Sequence, residues 1–164
     1  MSRVTDTHIE SAWNEVSQAS SLPESISDLM ERFGESEPVV ADFVAEAAAQ
    51  WGSDAMDLAY HAALVIWRAF QASGPAMGPV KPETLVECFE KNSAWLEQQE
   101  GEAILVQKKL SDFSKFPEPE LMRYAVELVL EAHEDGLEIE PEEQQELLLV
   151  LKTLIDSFTS AFTA

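Results

Sequence analysis

Asp57 and His61 are the first residues in this sequence whose types and spacing could do chemistry. Four positions apart in a helical stretch, they fall on one face, with Tyr60 adjacent. A carboxylate can hold an imidazole in one tautomer, as in a general base or a metal ligand with its supporting acid. The same spacing also suits a simple local contact on a largely buried helix. His133 lies among Glu131, Glu134 and Asp135 at a helix end, where the dipole favours a cation, and His8 stands near a helix start.

Spacings with stronger chemical meaning are absent from the sequence. It has no Glu-x-x-His pair of the kind a di-iron bundle uses twice, no HExxH, no cysteine pair and no glycine-rich phosphate loop. The stretch from Glu131 to Glu142 can be laid on a calcium loop with Gly136 at the turn. Glu131 then replaces the usual Asp, and Glu138 falls where an apolar residue belongs, so a helix-turn-helix connection fits better. No catalytic, cofactor-binding or metal-ligating residue is assigned on this basis.

A different use of side chains is an apolar groove. Trp13, Trp51, Trp67 and Trp95 are many for this length, and core packing is their ordinary role. Trp51 and Trp67, with Met56 and Met77 near the central loop, could instead line a surface for an apolar peptide or helix.

All these residues must be positioned by helices. From Glu37 to Phe70, Val40, Phe43, Val44, Ala47, Ala48 and Trp51 recur at helical spacing, and a second segment from Ala55 to Ala72 is apolar almost all round. Such a helix belongs inside a bundle. Ser36 and Pro38 mark the start of the first, Gly52 is expected to end it in a left-handed conformation, and Ser53 or Asp54 to cap the next. Upstream, Thr7 and Glu10 match a capping box for a helix to about Ala19, and Glu24 to Phe33 reads as a short helix stopped by Gly34.

Downstream, helices are expected from Glu83 to about Gln99, around Ala103, Val106, Leu110 and Phe113, from Glu120 to about Glu134, and from Pro141 onward. The last carries Leu148, Leu151, Ile155, Phe158 and Phe162 as a stripe for the core or for a second copy of the chain. Nothing reads as a strand. The expectation is an all-α protein, a compact bundle or array of seven to eight helices.

The glycines and prolines between Ser73 and Pro82 mark the best internal boundary. Halves of about 80 residues would each have a marginal core, so one domain over 1–164 is expected, with sub-halves 1–73 and 82–164 joined by a loop at 74–81. Glu37, Pro38, Val40, Phe43, Glu46 and Ala47 stand in the same order as Glu118, Pro119, Leu121, Tyr124, Glu127 and Leu128, 81 positions on. A duplicated helical unit would produce this echo, and so would any two helices that begin Glu-Pro and bury one face.

Charge narrows the partners. The chain has 31 acidic and 10 basic side chains, a net charge of −21, with 12 acids against 4 bases up to Lys81 and 19 against 6 beyond. Such a field repels nucleic acid and anionic membranes and attracts basic proteins. No apolar run approaches the ~20 residues of a membrane span. The amino terminus lacks the apolar core of a secretory signal, and the single Cys88 suits a reducing cytoplasm. The resulting expectation is a cytoplasmic, non-enzymatic interaction module that binds another protein, a basic one if the acids are concentrated on one face. The alternative is a ligand- or metal-binding protein or enzyme with a pocket between helices that uses Asp57 and His61.

Overall fold

The segment that is apolar all round becomes a helix of 21 residues, Ser53–Ser73, with Ala59, Ala62, Ala63, Val65, Ile66 and Phe70 each fully buried. Around it the computed structural model, which describes residues 3–74, 78–97, 113–132 and 134–163, is all helical. Its α-helices are α1 (Asp6–Ser20), α2 (Pro23–Ser36), α3 (Pro38–Ala48), α4 (Ser53–Ser73), α5 (Pro82–Glu97), α6 (Pro119–Glu131) and α7 (Pro141–Thr163), with one 3-10 turn at Phe113–Lys115. No strand occurs among the described residues. The helix expected around Ala103 to Phe113 lies outside them, except for Phe113 in the 3-10 turn.

The core lies between α4 and α7, which start side by side and end side by side. At their starts the Gly52 amide donates to Glu143 at 2.8 Å and the Glu138 amide to Asp54 at 2.7 Å. At their ends the Phe70 ring meets Phe158 and Phe162 at 5.5 and 5.3 Å. The stripe Leu148, Leu151, Ile155, Phe158 and Phe162 is buried within the chain. α1 covers α4 and α5 covers α7. The first contact carries a two-pronged Arg68–Glu15 pair, and the second a buried Asn92 that donates to Asp156 and accepts from Lys152.

The two halves repeat these contacts with partners exchanged. Glu37 precedes Pro38 at the start of α3, and Glu118 precedes Pro119 at the start of α6, with near-identical backbone angles. Both side chains are almost fully buried, at 4% and 3% exposed. Glu37 accepts the Val80 amide at 2.9 Å, at the entry to the second half. Glu118 accepts the Val4 amide at 2.9 Å and the Arg3 amide at 3.0 Å, at the entry to the first. In the same sense Trp13 of α1 meets Tyr124 of α6 at 6.2 Å, while Phe89 of α5 meets Phe43 of α3 at 5.5 Å.

Several helix boundaries differ from the sequence reading. The cap of α1 is Thr5, which shares its box with His8, because the chain is already held at Val4 by Glu118. Gly34 lies inside α2, which runs on until Pro38 takes away an amide. Gly52 is extended (φ −67°, ψ 166°) rather than left-handed, and is itself the cap of α4, while Glu37 takes the capping position of α3 in place of Ser36. Gly136 does adopt φ +82°, and the Leu137 amide folds back to Ala132 at 3.0 Å.

Burial raises the Glu37 pKa, and the Val80 hydrogen bond opposes that rise only in part. Glu37→Ala leaves the Val80 amide unpaired and should cost about 1–3 kcal/mol in chemical denaturation, whereas Glu37→Gln keeps an acceptor and costs less. A carboxyl whose pKa rises on folding loses stability as pH rises through that value. Wild type should therefore gain on Glu37→Gln between about pH 7 and about pH 5.

Candidate functional site

A surface concavity of about 640 Å³ opens where α3, α5 and α7 meet. The apolar wall follows from α3 and α5 crossing between halves: Phe43 and Ala47 face Leu85 and Phe89, with Leu149 and Val150 of α7 beneath. Trp51 closes one end, only 8% exposed, its indole N–H donating to Glu146 at 2.7 Å. Val86, 52% exposed, carries the apolar surface over onto the outer side of α5.

Carboxylates stand around this wall. Glu46, Glu90 and Glu146 are exposed, one on each of the three helices, and among the described residues no basic side chain lines the groove. Beside it Glu87 is paired with Lys91 at 2.9 Å, whereas Glu143 is held below the usual carboxylate range by the Gly52 and Glu140 amides. The arrangement combines desolvatable apolar area with a negative rim, the chemistry of a site for an amphipathic cation.

The residues singled out from sequence fall in different places. Trp51 is in the groove. Trp67 is buried at 3% and packs on Phe33 at 5.3 Å, and Met56 is half-buried against the core, so neither faces the groove. Met77 and His133 lie outside the described residues. Trp13 is 40% exposed and Trp95 half-buried beneath the Lys152 ammonium. Phe43, Phe89 and Val86 line the groove although the sequence did not mark them for it; Phe43 stood out only as part of a buried helical stripe. Val86 left one trace: it is apolar yet adjacent to Leu85, so the two cannot share a helix face.

Asp57 and His61 border a second, smaller cleft of about 240 Å³ together with Trp13, Asp54, Asp135 and Leu137. No hydrogen bond joins the pair: Asp57 is exposed, and the His61 Nδ1 is buried without a partner. The imidazole instead stands edge-on to Trp13 at 4.6 Å. Burial lowers its pKa, as expected of a ring held neutral against an aromatic wall. Among the described residues no three His, Cys, Asp or Glu side chains are gathered to hold a metal ion, and no helix is long and apolar enough to cross a membrane. Cys88 is half-buried, and its thiol is pushed up by burial.

No protein-family model, curated protein or solved structure matches this chain. In the other half, Leu149 takes the place of His61, at the same position along α7 as His61 holds along α4. Leucine thus fits this packing, and His61→Leu isolates the titration. A histidine whose pKa falls on folding loses stability as pH drops below its unfolded value of about 6.5. Thermal melts between about pH 7.5 and about pH 5.5 should show wild type losing ground to His61→Leu on acidification, the difference between the two becoming independent of pH at the upper end.

Proposed function

We propose that this protein is a non-enzymatic interaction module whose α3–α5–α7 groove holds an amphipathic helix of a basic partner protein. The supporting observation is the pairing of an apolar wall, Phe43, Leu85, Val86 and Phe89, with Glu46, Glu90 and Glu146 at its edge. A helix with leucine-like side chains at every third and fourth position would fill the wall, and lysines or arginines flanking them would meet the rim. The apolar contact would supply most of the affinity. The carboxylates, exposed and screened by salt, would speed encounter and reject acidic helices. The net charge of −21 works in the same direction. An unpaired Cys88 thiol supports a reducing compartment, the cytoplasm.

A synthetic leucine/lysine peptide designed as an amphipathic helix serves as the probe, with a scrambled peptide of the same composition as control. Titration calorimetry near physiological salt should show saturable binding of the helical peptide alone. Val86→Glu makes the protein more negative, so a purely electrostatic attachment would strengthen. Groove binding should weaken by about tenfold, or ~1.4 kcal/mol. Equal binding of both peptides, or a Val86→Glu protein that binds as well as wild type, overturns the proposal.

A further inference from the structure

The exchange of partners between halves creates the junction of α3 with α5 and also that of α1 with α6, and the second junction carries a concavity of its own. It holds about 300 Å³ and is floored by Ile9, Trp13, Tyr124 and Leu128. Its floor matches the part of the first groove that α3 and α5 contribute. Ile9 stands for Leu85 and Trp13 for Phe89, each 76 positions earlier, and Tyr124 stands for Phe43 and Leu128 for Ala47, each 81 later. The two aromatic contacts that floor the grooves, Trp13 on Tyr124 and Phe89 on Phe43, are the same contact made twice.

The rim carries more charge: Glu127 repeats Glu46, while Asp6, Glu10 and Glu131 stand where the first junction has Pro82, Val86 and Gln50. Asp6 and Glu10 stand one turn apart on α1, and Glu127 and Glu131 one turn apart on α6. All four are exposed, and none is paired with a base among the described residues. Glu10 replaces Val86 of the first groove. Within the floor the Tyr124 hydroxyl is buried and has no hydrogen-bond partner, a polar group whose need the chain leaves unmet. The half-exposed Trp13 ring offers a face to a cation.

We infer that the α1–α6 groove is a second docking site for a basic amphipathic helix, so that one chain holds two such helices. The inference rests on the reading of the first groove as a helix site. Charge decides the occupant: four carboxylates without an ion pair flank an apolar floor that has no base in its lining among the described residues. Trp13 and Leu128 are larger than the Phe89 and Ala47 they match, which leaves the second groove narrower. With less apolar area and more charge, it binds less tightly and depends more steeply on salt.

Native mass spectrometry and calorimetry with the same leucine/lysine peptide count the sites. Two equivalents are expected, one weakened about tenfold in Val86→Glu and the other, more salt-sensitive one lost in the double variant Glu10→Arg, Glu127→Arg. Both of those carboxylates are exposed, and Glu131→Arg replaces the pair if circular dichroism shows the double variant unfolded. One equivalent that Val86→Glu weakens and the α1–α6 variants leave unchanged overturns the second site and leaves the first. One equivalent removed only by the α1–α6 variants overturns the first and leaves the second. Two equivalents indifferent to both sets of variants, or no binding, overturn both.

Discussion

The packing of α4 on α7 is the contact on which the rest depends. Both helices bury nearly their full circumference over the middle turns, so each must be covered on several sides by others. Phe70 against Phe158 closes the seam at one end, and the Gly52–Glu143 and Glu138–Asp54 hydrogen bonds close it at the other. The alanines of α4, Ala55, Ala59, Ala62, Ala63 and Ala69, suit that crowding because they let neighbouring helices approach closely. At the positions on α7 that match Ala59, Ala62 and Ala63 stand the buried Leu147, Val150 and Leu151.

Once that pair is formed, the outer helices meet across the halves, and the buried glutamates hold them there. A carboxylate without a cation is costly to bury, and Glu37 and Glu118 are tolerated because each accepts main-chain amides that would otherwise go unpaired. Each glutamate thereby fixes where the opposite half begins, and with it the height of α5 beside α3 and of α1 beside α6. The grooves are products of this arrangement: helix pairs joined at one end by a glutamate and further along by an aromatic contact leave a shallow trough between them. In the first half small Ala47 keeps the trough wide, whereas Trp13 and Leu128 narrow its counterpart.

The helices were legible because each buries a stripe or, for α4, its whole surface, and the pattern of apolar residues records that burial directly. Their ends were less so. Thr7 with Glu10 and Thr5 with His8 are both chemically reasonable caps, and a tertiary contact at Val4 decides between them. The Glu-Pro echo pointed to the equivalent starts of α3 and α6, but the amides those glutamates accept lie 43 and 114 positions away in the chain, beyond any local pattern. The first groove was hidden for the same reason. Phe43, Phe89 and Leu149 come from three helices, and each alone resembles an ordinary core residue. Trp67 shows the converse, since a tryptophan on an apolar helix is as well suited to the core, where Phe33 meets it, as to a surface.

Negative charge spread over the whole surface would attract any cation loosely, so position distinguishes a groove from a diffuse field. Amide chemical-shift mapping with the leucine/lysine peptide reads that position residue by residue, in buffer near physiological salt. A helix seated in the first groove predicts saturating shifts concentrated on Phe43 to Trp51, Leu85 to Glu90 and Glu146 to Val150. Small, non-saturating shifts scattered over exposed acids throughout the chain would contradict it.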